Sequence, residues 1–297
     1  MRDHVLFLTD LHFWEVVLNP FRQLNKRLLG NANVALKRRH HFPMANARPF
    51  ADLALASGAR DVIIGGDVTS TSTEREFRLA SEFVDELAER GARIEIVPGN
   101  HDVYTFAVAR QRTFERWFER HAPEEGYPAR RTLPGGTPVI LVSSVRPNWL
   151  ASSGRIEPET LASVERLLSE CEAEQVLVVG HYPLLDNTTE YVMGPSRHCE
   201  GSTDFRAMLG RSGKRILHVA GHVHRFSLIA DPDHENVRHV TGPSFFNHWP
   251  KADREGGYLE LECLGDGVRV RHHFKSAAGW DSQTFEPGES PHSTLAT

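Results

Sequence analysis

Cysteine is scarce. The 297 residues hold three, Cys171, Cys199 and Cys263, too few and too far apart for a disulfide framework or a CxxC zinc site. Such usage fits a reducing cytoplasm. Long apolar runs are missing as well: nothing approaches about 18 consecutive apolar residues, so no segment is expected to span a membrane. The chain enters the apolar run HVLFLTD directly after Met1-Arg2-Asp3, with no cationic and then apolar leader before it, and a signal peptide is not expected. Net positive charge is also absent. The formal charge is −5, and no surface-like stretch interleaves basic and aromatic residues, which argues against nucleic-acid binding as the main role.

What is present is an α/β pattern. Apolar runs recur at 5–10 (VLFLTD), 62–67 (VIIGGD), 94–102 (IEIVPGNHD), 139–144, 176–181 (VLVVGH) and 216–222 (ILHVAGH). Runs apolar on both faces and separated by helical patterns indicate buried strands. The clearest helix covers 73–90, with Thr73 and Glu76 as a capping box, one apolar face through Phe77, Ala80, Phe83, Val84 and Leu87, and Gly91 as its stop. Further helices are expected at 43–57, 105–121 and 158–170, the last opened by Pro158. From about 225 onward the runs RFSLIA, VRHVTG, GYLELECL and GVRVRHHF read as antiparallel strands. No repeat or linker divides the chain. A single domain over 1–276 is expected, followed by a loosely ordered tail at 277–297.

The chemistry sits at the strand ends. The first run ends in Asp10-Leu11-His12, the next in Gly66-Asp67, and the third in Gly99-Asn100-His101-Asp102. Two later runs end in Gly180-His181 and in Gly221-His222-Val223-His224. Any one of these could be a turn, a cap or a satisfied histidine. In parallel α/β sheets, however, ligands bind outside the carboxyl ends of the strands. Asp10, His12, Asp67, Asn100, His181, His222 and His224 gathered on one edge would be costly without a cation, since carboxylates repel and buried polar groups need partners. Seven donors exceed one tetrahedral site, and an Asp/Asn/His set without cysteine suits Mn, Fe or Zn. Two divalent or trivalent metal ions are therefore expected, with Asp67 as the natural bridge. Two-metal sites clamp both oxygens of an in-line phosphoryl displacement, so the expected partner is a small phosphoester substrate.

The ordered set D-x-H, GD, GNHD, GH and GHxH resembles the signature of the calcineurin-like metallophosphoesterase superfamily, over residues 5 to about 245. Its His181-Tyr182-Pro183-Leu184 and GHVH contexts are most similar to the bacterial class III cyclic-nucleotide phosphodiesterase branch. The resemblance implies a four-layer α/β sandwich of two mixed β-sheets flanked by helices, and a phosphodiesterase in which a metal-bridging hydroxide attacks phosphorus. It also implies roles. Asp10, His12 and His224 would hold one metal and Asn100, His181 and His222 the other, with Asp67 between them. His101 would lie at the leaving group or a phosphate oxygen, and Asp102 would orient its ring.

Three places depart from the family pattern. The loop Val68-Thr69-Ser70 lacks the Asp or Arg that many members carry, so no phosphate-gripping arginine can be assigned there. The segment 20–43, PFRQLNKRLLGNANVALKRRHHFP, has six Lys/Arg and no acid. It reads either as a helical insertion with solvated charges or as an amphipathic patch making weak contact with an anionic membrane or a polyanionic substrate. The loop 186–204 would cover the site, with Arg197 and His198 either solvated or touching substrate. An alternative function follows from the basic insertion: a peripheral-membrane hydrolase of a lipid-linked pyrophosphate such as a UDP-diacylglucosamine-type precursor. A scaffold that has lost its chemistry is a further alternative, disfavoured because every ligand position is kept.

Overall fold

The computed structural model describes residues 2–17, 27–149, 151–249 and 254–295. The first half of the chain begins with β1 (Asp3–Leu8). The basic segment follows: α1 (Arg27–Asn33), a π-helical turn at Val34–Arg38, and α2 (Arg39–His41). Residues 20–26 of that segment lie outside the described residues. Then come α3 (Ala47–Ala56), β2 (Asp61–Ile64), α4 (Glu74–Glu89), β3 (Arg93–Ile96), α5 (Phe106–Arg110), α6 (Thr113–Trp117), β4 (Ala129–Thr132) and β5 (Pro138–Leu141). The second half holds β6 (Gly154–Arg155), α7 (Pro158–Ser169), β7 (Gln175–Val179), β8 (Cys199–Glu200), α8 (Ser202–Arg211) and β9 (Arg215–Ala220). It ends with β10 (Ser227–Ala230), β11 (Val237–Thr241), β12 (His248–Trp249), β13 (Arg254–Glu255), β14 (Gly257–Leu264), β15 (Gly267–Ser276) and β16 (Gly279–Phe285).

Two six-stranded sheets result, in the orders β16-β15-β14-β1-β2-β3 and β10-β11-β9-β7-β5-β4. Both are mixed. β1, β2 and β3 run parallel while β14 is antiparallel to β1; β5, β7, β9 and β11 run parallel, flanked by antiparallel β4 and β10. The alternation along each strand explains the layers. Val5 and Phe7 of β1 join Leu177, Val179, Leu217 and Val219 between the sheets, whereas Leu6 and Leu8 face the helical layer of α3 and α4. Val176 and Val178 of β7 turn instead to α7 and α8. Both faces of each central strand are buried, which is why they read as unbroken apolar runs. The architecture is the four-layer α/β sandwich.

Several local readings meet their physical reasons here. Thr73 and Glu76 form the reciprocal capping box, and Gly91 ends that helix at φ +91°. The helix expected over 105–121 is split into α5 and α6 by Arg112, whose φ of +48° breaks the hydrogen-bond ladder. β11 pairs in parallel with β9 rather than joining an all-antiparallel set. The tail expected to be loosely ordered from 277 contains β16, which pairs with β15 from Val270↔Phe285 to Ser276↔Gly279. Its Ser- and Gly-rich composition hid a hairpin held by cross-strand pairing and by Trp280 and Phe285, which pack against the core from an otherwise polar strand. No helix among the described residues is long and apolar enough to cross a membrane.

Candidate metal centre

The parallel strands β1, β2, β3, β7 and β9 all deliver their carboxyl ends to one edge, and the chain continues past each into a short, tightly bonded loop. Asp10 and His12 donate their backbone N–H groups to the carbonyls of Gly66 (3.0 Å) and Asp67 (2.8 Å), so the first two loops travel together. Five of the seven proposed donors sit in the left-handed region: Asp10 at φ +53°, His12 at +51°, Asp67 at +52°, His222 at +69° and His224 at +58°. Such conformations are costly for non-glycine residues and cluster where surrounding structure imposes them for function. Here the reversal swings each side chain off its strand direction and into the shared edge. Two glycines permit the close approach. A Cβ on Gly99 would lie 2.2 Å from the Asp67 N and Oδ1, and one on Gly221 would lie 2.0 Å from Thr9 Oγ1.

The structure brings all seven donors together. Asp10, His12 and His224 form one cluster of facing ligand atoms, and Asp67, His181 and His222 form another. Asp67 Oδ2 lies 3.7 Å from His12 Nε2 and 3.4 Å from His181 Nε2, between the two groups. Asn100 Oδ1 lies 2.9 Å from His222 Nδ1 and 3.2 Å from His181 Nε2. His12 and Asp67 also form a cluster with His101.

The histidines are oriented by backbone carbonyls. Nδ1 of His12 lies 3.2 Å from the Thr69 oxygen, Nδ1 of His181 lies 2.8 Å from that of Gly65, and Nε2 of His222 lies 3.1 Å from that of Arg197. In a neutral ring, as burial keeps His12 and His222, the nitrogen facing a carbonyl carries the proton and the opposite nitrogen is a lone pair aimed at the centre. His12 Nε2 and His224 Nε2 are 3.1 Å apart, close to the spacing of two nitrogens each about 2.1 Å from one ion at roughly right angles. Burial holds His12 and His222 well below the ordinary histidine value, so both are neutral. Burial alone would raise the Asp10 carboxyl and lower His181. The neighbouring His224 brings Asp10 down to about 2, and Asp67 brings His181 up to about 9.

Asp10 supplies the sharpest test of fit. Its Oδ2 accepts from the His222 amide (3.0 Å) and the Thr9 hydroxyl (2.8 Å), whereas its Oδ1 is buried, takes no well-formed hydrogen bond and faces His224 Nε2 at 3.2 Å. A half-satisfied buried carboxylate beside lone-pair nitrogens is the arrangement a cation completes. The residues therefore fit two metal ions, and the donor set contains no thiolate.

Asp102 is placed differently from its expected role. Rather than orienting the His101 ring, its carboxylate accepts from the Thr69 N–H (2.8 Å), the Thr69 hydroxyl (2.9 Å), the Gly99 N–H (2.9 Å) and the Val68 N–H (3.3 Å). It is buried and staples the Gly66–Ser70 loop to the Gly99–Asp102 turn. The orienting of His101 falls to the Ser70 carbonyl, 2.7 Å from Nδ1, and to Tyr104, whose ring stacks on it at 5.3 Å and 16°. The backbone N–H of His101 donates to Asp67 Oδ1 at 2.7 Å.

The basic segment supplies residues that the strand-end motifs do not reveal. Arg38 reaches the centre, with Nη2 2.8 Å from His101 Nε2 and Nη1 3.3 Å from the Ser70 carbonyl. Burial lowers its pKa, with Asp67 opposing the shift. Arg27 donates to the carbonyls of Thr71 (3.0 Å) and Ser72 (2.6 Å). Phe42 packs its ring edge-on against His12 at 4.7 Å and against His224 at 5.9 Å. Neither a fully solvated insertion nor a purely membrane-facing one describes this segment. The available signal was its excess of cations without acids in an acidic chain. In the loop 186–204, the Arg197 main chain orients His222 while its side chain lines the cavity.

The centre opens into a cavity of about 640 Å³, bounded by the basic segment on one side and by Arg225, Phe226 and Phe274 on another. A family model described as calcineurin-like phosphoesterase matches residues 4–226. Among solved structures, a dimetal phosphatase from Danio rerio is similar with a TM-score of 0.63 and 13% identity, over 96% of this chain and 99% of that one. The purple acid phosphatase PPD1 from yellow lupin (Lupinus luteus) is similar with a TM-score of 0.58 and 10% identity, over 96% of this chain and 53% of that one. These identities establish a shared fold. The comparison with curated proteins returned no match.

Proposed function

Because this chain belongs to the calcineurin-like phosphoesterase family, we propose that its metal-dependent chemistry is the hydrolysis of phosphodiesters at a dinuclear centre. The observation that carries the reading is the pair of donor clusters linked through Asp67 at the floor of one cavity. Asp10, His12 and His224 would hold one ion and Asn100, His181 and His222 the other, with Asp67 shared. Bound there, the ions would act as Lewis acids toward the phosphoryl oxygens and lower the pKa of a water.

The protein's own groups supply orientation and proton handling. With Nδ1 of His101 donated to the Ser70 carbonyl, Nε2 is the nitrogen that faces the cavity. In the neutral ring that nitrogen carries the lone pair and accepts from Arg38 Nη2 (2.8 Å). His101 would therefore donate to the departing alkoxide only as the imidazolium, with Arg38 turned to the phosphoryl group. Asp102 keeps the two loops in register, and Phe42 excludes water from the His12 and His224 side. A cavity of about 640 Å³ exceeds the needs of a lone phosphate and suits a diester with two substituents. The three cysteines are buried and free, which supports a reducing, cytoplasmic setting.

On protein loaded with Mn, bis-p-nitrophenyl phosphate should be hydrolysed faster than the monoester. Elemental mass spectrometry should find two metals per chain. A clear monoester preference would overturn the diesterase reading. A second reading, hydrolysis of a lipid-linked pyrophosphate at a membrane surface, is favoured by one observation: Leu28 and Leu36 are 56% and 75% exposed on the same basic segment that reaches the centre. Co-sedimentation of wild type and Leu36→Asp with phosphatidylglycerol vesicles tests it, and equal behaviour would retire it.

A further inference from the structure

The cations around this centre pose an electrostatic problem. Two metal ions would be offset within the donor set by only two carboxylates, Asp10 and Asp67. Into the same neighbourhood the π-helical turn Val34–Arg38 brings a third cation, Arg38, whose guanidinium rests on His101 and near His12. A desolvated guanidinium ordinarily sits against a carboxylate. Among the described residues none forms an ion pair with Arg38, and its polar contacts are carbonyl and imidazole acceptors.

The donor arithmetic shows what remains. Because His101 Nδ1 gives its proton to Ser70, its Nε2 is an acceptor and takes one N–H from Nη2 of Arg38. A second N–H, on Nη1, goes to the Ser70 carbonyl. His12 Nδ1 and His101 Nδ1 already face carbonyls, so neither is a free acceptor for the nearby Nη1. Three of the five guanidinium N–H donors are left on a side chain that lines the cavity. Its neighbour Lys37 is exposed and lines the same cavity. The turn is also well anchored: Val34 is fully buried, and a Cβ on Gly30 one turn earlier would lie 2.8 Å from Thr71 and from the Tyr104 hydroxyl. A π-helical turn inside a helix commonly marks a functional position.

We propose that Arg38 is an anion-binding catalytic residue of this site, supplied by the basic segment, which grips a non-bridging oxygen of the phosphoryl group being hydrolysed. The inference rests on the phosphoester reading. The basic segment thereby replaces the arginine that the Gly66–Ser70 loop lacks, and the substrate's own charge becomes the partner of the guanidinium. Planar two-donor recognition of phosphate is what a guanidinium does and an ammonium cannot reproduce.

The test compares Mn-loaded wild type, Arg38→Ala and Arg38→Lys in three measurements: metal content, calorimetric titration with inorganic phosphate, and kcat and KM on bis-p-nitrophenyl phosphate. Metal content should stay at two per chain in all three. In Arg38→Ala, phosphate should bind about 10-fold more weakly and kcat should fall about 10²-fold, the loss typical of a removed transition-state donor. Arg38→Lys should recover only part. Added guanidinium ion should restore part of the Arg38→Ala activity, which a merely structural role would not allow. The proposal is overturned if Arg38→Ala binds phosphate within 2-fold of wild type, or if it loses metal while Arg38→Lys keeps both metal and full activity. Should wild type hydrolyse no ester yet bind phosphate through Arg38, the functional reading fails and the anion site stands.

Discussion

Replacing Asp102 separates two accounts of the GNHD turn, since its carboxylate takes four buried donors and does so away from the His101 ring. In Asp102→Ala the N–H groups of Val68, Thr69 and Gly99 and the Thr69 hydroxyl lose their acceptor. Each buried donor left unsatisfied costs about 1–3 kcal/mol. Relief of the repulsion between Asp102 and Asp67 offsets part of that sum, and Thr69 Oγ1 can turn to the His101 carbonyl 2.9 Å away. A net loss of roughly 3–5 kcal/mol remains after those offsets. Asp102→Asn is the sharper probe. Its amide oxygen can keep the two Thr69 donors, but its NH₂ then faces the Val68 and Gly99 N–H groups, so about half the loss, roughly 2 kcal/mol, is expected.

At about 2–4 °C per kcal/mol for a chain of this size, the melting temperature should fall by roughly 4–8 °C in Asp102→Asn and roughly 6–20 °C in Asp102→Ala. The assay is differential scanning calorimetry with and without EDTA, beside kcat on a diester at 20 °C. The loss of stability should persist without metal, because the staple joins protein to protein. The refuting result is an Asp102→Asn variant that melts within 2 °C of wild type while kcat drops 100-fold or more at full metal content. That pattern would return Asp102 to the role of orienting His101.

Two further outcomes follow from the same geometry. Asp67→Ala should lose metal, because its Oδ2 lies between the His12 and His181 nitrogens, whereas His101→Ala should keep both metals and lose about 10²–10⁴-fold in turnover; elemental analysis beside kinetics checks both. Away from the centre, Asp231 accepts two bonds from Arg206 (2.7 and 2.8 Å) and one from His239 (2.7 Å). Asp231→Ala should cost roughly 3 kcal/mol, or about 6–12 °C in melting temperature, by removing the buried, two-bonded partner of Arg206 and leaving it only the exposed Asp233 at 2.7 Å. Burial would raise the Asp231 carboxyl, but Arg206 and His239 outweigh it and hold it far below its ordinary 3.8. Its contribution is therefore complete above that value and is lost as pH falls beneath it, so the gap between wild type and variant should narrow in acid titrations below about pH 4.

Local pattern carried much of this molecule. The central strands were legible because burial on both faces leaves an unbroken apolar run, as in the 62–64 and 176–179 segments. The capping box at Thr73 and Glu76 was legible because its partners lie three residues apart. The donor positions could be named because each stands directly after a strand, where topology gives it little choice of direction. Less visible were features that depend on distant partners. β16 is held by pairing with β15 and carries no strong apolar signal of its own.

By itself, then, the sequence determined the α/β pattern of buried strands and the set of side chains at their ends, since both follow from local periodicity and strand-end chemistry. The division into two sheets was implied only by the family resemblance. Only the tertiary structure decided that Asp102 joins two loops, that the Ser70 carbonyl and Tyr104 set the His101 ring, and that Arg38 enters the centre. The physical reason is range. Ser70 is 31 residues from His101 and Arg38 is 63, and nothing in the spacing of a helix or a strand encodes where such a side chain will land. That is settled by how the basic segment packs across the strand ends, with Val34 buried beneath it and Phe42 closing against His12.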